Sequence, residues 1–356
     1  MSYKPISICY FPGRESTYVR TRVFLNGMRQ AGIIVFDCSY PKKKIYRNII
    51  SFFKFLKYKN KSDIILIGFL GHFFLPFVKL FTRKKIIFEA FLSTYQTLAF
   101  DRKSIKPHGF LAKIIRFIEH FDCQLADLVL LDTNQHIQYF IDQYQLNRIK
   151  FRRSLLSCDD KLMTPRLNIS EDQFIVHFHG EFQALHGAKY IIEAASFIPH
   201  VQFRMIGGGK EWQVCYQLAQ SLKIKNIEFI PPVRFDIIPE YISSASICLG
   251  IFGETQKTQL VIPFKVYETL SMAKPIITAD SPAIRELLSH NENVYLCEAA
   301  NPKSLADAIE TLRNDKLLRK KIAENGYRLF KENCTPKIIG EQILEWSNDL
   351  LKPKSN

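Results

Sequence analysis

Several features are missing from this 356-residue chain, and each absence excludes something. The cysteines at 9, 38, 123, 158, 215, 248, 297 and 334 form no CxxC pair and show no metal-ligand spacing with a histidine. That argues against a disulfide scaffold and a structural zinc site, and suits a reducing compartment. No clean apolar run of about 20 residues exists, as a spanning helix requires. The longest stretch, Ile64 to Phe81, is broken by His72, Pro76 and Lys79. The opening MSYKPISICYF has no secretory layout. Repeats of solenoid length, low-complexity tracts, a GxxxxGK[ST] loop, a spaced GxGxxG and a DxD motif at a strand end are all lacking.

Charge is unevenly distributed. The net +15 comes from 49 basic and 34 acidic residues. Residues 1–150 carry 24 basic and 10 acidic side chains (+14); the remainder carries 25 and 24 (+1). Such a split points to an anionic partner for the first part. Its densest stretch, Pro41–Lys61, holds eight basic residues and no acid, interleaved with Phe52, Phe53 and Phe55. An anionic membrane surface is the favoured partner, a nucleic-acid groove a less favoured one, and a solvated lysine face the bland reading. With 47% hydrophobic and 23% charged residues the chain is globular and long enough for two domains.

Short apolar runs alternate with amphipathic stretches, the pattern of parallel βαβ units. Strands are expected at 6–11, 33–38, 63–69, 85–91 and 127–132, then at 174–179, 201–206, 227–230, 247–251, 275–279 and 294–297. Helices are expected near 18–31, 45–58, 110–121 and 135–144. In the second series they are expected near 188–196, 212–222, 237–243, 264–273, 283–288 and 304–312, with two more in the tail. The segment Leu92–His108 is aperiodic and reads as a functional loop or a region ordered by contacts. The expected fold class is α/β: two doubly wound domains, 1–160 and 161–335, with a linker in Ser154–Leu167 and a last helix, 336–356, returning to the first domain. Ligands of such sheets sit beyond the carboxyl ends of the strands, which predicts a cleft between the domains.

Three loops of the second domain carry candidate chemistry. Gly207, Gly208 and Gly209 follow a strand and precede a helix, where backbone donors favour anions, although a tight turn is the commoner meaning of three glycines. Lys265 and Glu268 share a helix face. A lysine in a first turn opposes the helix dipole, and that conflict hints at an anionic ligand; the alternative is a surface ion pair. Gly180, His186 and Gly187 mark a third loop, with His186 able to bond a phosphate or a sugar. In the first domain Gly13, Arg14 and Arg20 follow the first strand, and the arginine fork suits phosphate. Glu89 and Asp101 flank the aperiodic segment and are candidates to position an acceptor hydroxyl, each more plainly an ordinary loop carboxylate.

The ordered segments HGEFQALHGAKYIIEA, RMIGGG, IEFIPPV, IPFKVYETLSMAKPIITADSPAIRELL and NPKSLADAIETL resemble the donor-binding half of family 4 retaining glycosyltransferases, which have the GT-B fold. The likeness covers about 172–335 well and 40–125 weakly. It implies a nucleotide diphosphate sugar donor, a hydroxyl acceptor, transfer with retention and no obligatory metal or other cofactor. Glu268 would hold the ribose hydroxyls, Lys265 would neutralise the diphosphate, and Gly13, Gly180 and Gly207–Gly209 would line the donor. The chain departs from the family at Leu260, where a first motif glutamate is expected, at Glu181 for an arginine and at His186 for a lysine. The rival readings are an inactive module binding a nucleotide or polyanion, and a DNA-modifying glucosyltransferase. The acceptor is expected to be a lipid-linked or cell-envelope glycan, with the protein cytoplasmic and peripheral on the inner face of a membrane.

Overall fold

The computed structural model describes residues 5–40, 46–166 and 173–353. Lys42, Lys43 and Lys44 of the basic stretch, and Leu167 at the end of the expected linker, lie outside the described residues. The chain divides into two compact units. One runs to Asp159 and takes up the chain again from Asn333; the other spans Asp160–Glu332.

In the first unit six parallel strands form the sheet β2-β1-β3-β4-β5-β6, from β1 (Ser7–Phe11), β2 (Ile34–Asp37), β3 (Ile64–Ile67), β4 (Lys85–Phe91), β5 (Leu128–Leu131) and β6 (Phe151–Arg153). The inner strands are buried on both faces and read as continuous apolar runs rather than alternations, as parallel sheets require. Helices α1 (Val19–Gln30), α2 (Arg47–Tyr58), α3 (Leu75–Leu80), α4 (Phe110–Leu125) and α5 (Asn134–Tyr144) connect them. Phe55 of α2, Leu75 and Val78 of α3, Cys123 of α4 and Phe140 of α5 share one core cluster, so these four helices cover the same sheet face. Several elements escaped sequence reading, among them β6 and α3. β6 is a three-residue edge strand ending in two arginines, and α3 is hidden inside the apolar run Ile64–Phe81.

The second unit repeats the plan as β12-β11-β10-β7-β8-β9, from β7 (Ile175–Glu181), β8 (Gln202–Gly208), β9 (Ile227–Ile230), β10 (Ile247–Leu249), β11 (Ile276–Ala279) and β12 (Tyr295–Cys297). Its helices of six residues or more are α6 (Ala188–Phe197), α7 (Trp212–Ser221), α8 (Ile238–Ser243), α9 (Phe264–Ser271), α10 (Pro302–Asn314) and α11 (Lys316–Asn333), and a short turn of helix, Pro282–Arg285, stands near the expected 283–288. The last helix, α12 (Pro336–Leu351), packs on α1 within the first unit. Two glycines permit that crossing: a Cβ on Gly27 would stand 2.1 Å from the Pro336 carbonyl oxygen, and one on Gly340 2.0 Å from that of Gly27.

The aperiodic segment is ordered by contacts. The buried Glu119 carboxylate of α4 accepts from Ser93 Oγ (3.0 Å) and Tyr95 N (3.2 Å), and also from Thr94 N and Tyr144 Oη. Ser93 N donates to His136 Nε2, whose Nδ1 meets Asp132 at 2.9 Å. One turn on from Glu119, Asp122 is also buried and meets His72 at 3.2 Å. Burial, opposed by His72, pushes the Asp122 carboxyl from 3.8 to about 6. The folded state therefore holds that proton more tightly than the unfolded state. Its contribution is full below pH 3.8 and is lost as pH rises through about 6. A displacement of this size corresponds to about 3 kcal/mol. Asp122→Asn is expected to flatten the decline of urea stability between pH 4 and pH 7; an unchanged slope would place the titration elsewhere.

Candidate functional site

At the carboxyl end of the second sheet, β7 carries His177, Phe178, His179 and Gly180 in succession. Residues two apart on a strand share a face, so the two histidines lie side by side and Phe178 points to the other side. His177 Nε2 and His179 Nδ1 are 3.1 Å apart, and His179 Nε2 lies 2.9 Å from Glu268 Oε2. A carboxylate only accepts, so His179 donates through Nε2; in the tautomer with both rings neutral its Nδ1 then accepts from His177 Nε2. That leaves His177 Nδ1 unprotonated, in accord with its burial without a partner. Burial holds His177 well below the usual histidine range, with His179 adding to the effect.

Glu268 sits on α9, which is buried along nearly its whole length. Pro263 is the residue before this helix, in extended backbone, and not a member of its first turn. Lys265 and Glu268 are 4% and 6% exposed, which overturns the surface ion-pair reading. The Lys265 ammonium stands 3.7 Å from the centroid of the Phe178 ring and makes no hydrogen bond among the described residues. Burial drives its pKa well below the usual lysine value, and Glu268 opposes that only in part. Gly180 adopts φ +143°, and a Cβ there would come within 3.1 Å of Lys265 Nζ and 3.4 Å of His186 Cε1. The glycine thus keeps open the space into which the ammonium points. His186 is half-buried, bonded through Nδ1 to the Glu181 carbonyl, and held below its normal range by burial and by Lys265. The structure therefore gathers Gly180, His186, Lys265 and Glu268 and adds His177, Phe178 and His179, which sequence reasoning gave no role. The His-x-His alternation before a glycine was the available signal.

Other candidates have structural duties. Gly207, at φ +141°, faces Gly180: a Cβ would lie 1.9 Å from the Gly180 carbonyl oxygen, so strand packing alone excludes a side chain. Gly208 ends β8, and Gly209 lies against the Phe182 backbone. Leu260 is buried apolar surface. Glu181, at the expected arginine, is exposed and bonded by Gln183.

In the first unit, Gly13 abuts the backbone of Phe69–Gly71, where a Cβ would stand 2.1 Å from the Phe69 carbonyl oxygen. Arg14 pairs with Glu15 at 3.4 Å and covers Tyr18. Arg20 and Glu89 correct the sequence reading most clearly. They form a buried ion pair at 2.7 Å, with the guanidinium 3.7 Å from the Phe91 ring centroid and Phe69 N donating to Glu89 at 3.0 Å. Burial raises the Glu89 carboxyl despite Arg20. Charges this deep need each other, so the pair fastens α1 to the ends of β3 and β4. Asp101 is likewise buried, at the end of a π-helical turn Thr97–Asp101, rather than presented from a loop.

Residues 159–329 match the family model described as glycosyl transferases group 1. This segment is similar to group 1 glycosyltransferase domains. It contains the whole Lys265–Glu268–His179 constellation. Among curated relatives, an uncharacterized glycosyltransferase of Haemophilus influenzae is 26% identical over 168 residues, 46% of each chain. N-acetyl-alpha-D-glucosaminyl L-malate synthase of Bacillus anthracis is 24% identical over 64% of this chain and 57% of its own. The chain spans about half the length of the curated relatives it matches. Sucrose-phosphate synthase from Thermosynechococcus elongatus superposes with a TM-score of 0.76 at 14% identity, over 98% of this chain and 99% of its own. Anabaena HepE, solved in complex with UDP-glucose, gives 0.73 at 14%, over 97% and 100%. These likenesses establish the GT-B fold of the chain.

A buried amine without a hydrogen bond among the described residues costs stability. Lys265→Met is expected to raise the melting temperature of the ligand-free protein by about 2–4 °C for each kcal/mol recovered. The same change should abolish any stabilisation by uridine diphosphate. A lower melting temperature with ligand stabilisation retained would show that Lys265 serves packing.

Proposed function

We propose that the protein transfers a sugar from a nucleoside diphosphate sugar to a hydroxyl of a lipid-linked or cell-envelope glycan, with retention at the anomeric carbon. The observation that carries this is the Lys265 ammonium: buried, without a hydrogen bond, and aimed past Gly180 beside a carboxylate held by histidine. A diphosphate entering there meets an amine already stripped of water, and the anion favours its charged form. The bond from the anomeric carbon to the phosphate oxygen breaks, and its electron pair moves onto the diphosphate. The acceptor oxygen bonds to that carbon on the same face and its proton is released. Lys265 opposes the charge growing on the leaving group, an interaction stronger in the transition state than before it. Glu268 gives Oε2 to His179, so Oε1 remains for the ribose hydroxyls. His179, steadied by His177, is a positioning residue.

Retention rests on the resemblance to family 4. The base is taken as uracil because HepE and TarM, of the same fold, were crystallised with UDP. A membrane-borne acceptor and a cytoplasmic, peripheral location are supported by the basic first unit, and no described helix is long and apolar enough to cross a membrane.

Lys265→Ala and Glu268→Ala are each expected to lower turnover of the sugar nucleotide by about 10²–10³ with the fold intact by circular dichroism. His179→Ala should act chiefly on KM, through a misplaced Glu268. Retention of more than a tenth of wild-type turnover by both alanine variants would displace the donor site from α9.

A further inference from the structure

Helix α4 is turned inside out. Its acids, Glu119 and Asp122, face the core, while Phe110, Ile114, Phe117 and Phe121 form an exposed stripe at i, i+4, i+7 and i+11. Phe117 is 66% exposed, and its ring stacks on Phe121 with centroids 6.0 Å apart. Helix α3 packs against α4 and adds Phe77, at 60%, and Leu80, at 81%. Phe73 just before it and Phe81 just after it are also exposed. Phe81 touches Phe52 of α2 edge-on at 5.3 Å, so the apolar surface continues to α2, where Ile49 and Phe53 point outward. A soluble monomer rarely leaves so much contiguous apolar surface in water.

The surrounding charge has one sign. Between residues 46 and 126 no acidic side chain is exposed, whereas Lys57, Lys61, Arg83, Arg102, Lys103, Lys106 and Lys113 are. Beside Phe117 a groove of about 430 Å³ is lined by Lys113, Arg116, His120 and Tyr144. The face corrects the sequence reading of the basic stretch as well. Phe55 is buried, Phe52 packs inward, and Lys54 is tied to the Ser39 carbonyl at 2.8 Å, so of the three phenylalanines only Phe53 is presented.

We propose that the α2–α3–α4 face of the first unit docks on an anionic lipid bilayer, with the phenylalanines of α3 and α4 entering the interfacial region and the lysines and arginines meeting headgroup phosphates. Aromatic side chains with a basic rim and no acid match the chemistry of that surface, whereas an acidic protein partner would leave most of the outer phenylalanines unfilled. The inference deepens the proposed transfer reaction and rests on it for a lipid-borne acceptor. The docking itself is read without catalysis.

The test is sedimentation of the full chain with vesicles of phosphatidylcholine alone or mixed with phosphatidylglycerol, at low and high salt. Uridine diphosphate stabilisation is measured on the same samples, so that loss of the donor site registers separately. Wild-type protein is expected to bind the anionic vesicles, with salt weakening but not abolishing binding. Phe77→Ser with Phe117→Ser, and separately Arg83→Glu with Lys113→Glu, are each expected to reduce binding at least tenfold while leaving nucleotide stabilisation unchanged. These side chains are exposed, so the fold does not depend on them. Equal binding to both vesicle types, binding to neither, or serine variants that bind like wild type would overturn the proposal. So would a dimer that the serine variants dissociate, since the face would then be covered by a second copy.

Discussion

An amine held out of water with no hydrogen bond among the described residues governs the second unit. Lys265 has the Phe178 ring on one side and the space kept by Gly180 on the other, with Glu268 one turn further along its helix. Much else follows from accommodating it. Gly180 cannot carry a side chain, and Gly207 beside it must also be glycine because β7 and β8 approach closely there. His186 and His177 are pushed toward their neutral forms, so added positive charge does not make the burial costlier. His179 supplies the hydrogen bond that holds the carboxylate in place. Arrangements that weaken a fold to prepare for charge development are what electrostatic catalysis requires.

The first unit manages its charges in the opposite way. Its buried ions are matched: Arg20 with Glu89, and Glu119 with four donors. These contacts order the connection after β4. On the outside, between residues 46 and 126, apolar and basic side chains are exposed without an exposed acid. One unit thus buries an unbonded amine, and the other leaves apolar and basic side chains together on its surface.

Most strands were legible because buried parallel strands are unbroken apolar runs between loops, and all six of the second sheet stand where those runs predict. The Lys265 and Glu268 pair was legible from its spacing and from the conflict with the helix dipole. Contacts distant in sequence were not. Arg20 and Glu89 look like separate functional residues because nothing local shows they are 2.7 Å apart. His179 is 89 positions from Glu268. The outward phenylalanines of α4 were hidden for another reason. Reading amphipathic pattern assumes that the apolar stripe faces the core, and here buried carboxylates take that side. The basic stretch drew attention to α2 by composition, but composition does not show which of three phenylalanines points outward.

The most direct test is the proton balance of nucleotide binding. In the free protein the Lys265 pKa is lowered by burial, and a diphosphate beside it must raise it again. Titration calorimetry with uridine diphosphate between pH 6 and pH 10, in buffers of different ionisation enthalpy, reads that change as protons exchanged per nucleotide bound. Net proton uptake, with affinity falling toward the alkaline end of that range, is the predicted result. Binding with no exchange or with proton release, and with affinity independent of pH over that range, would contradict it.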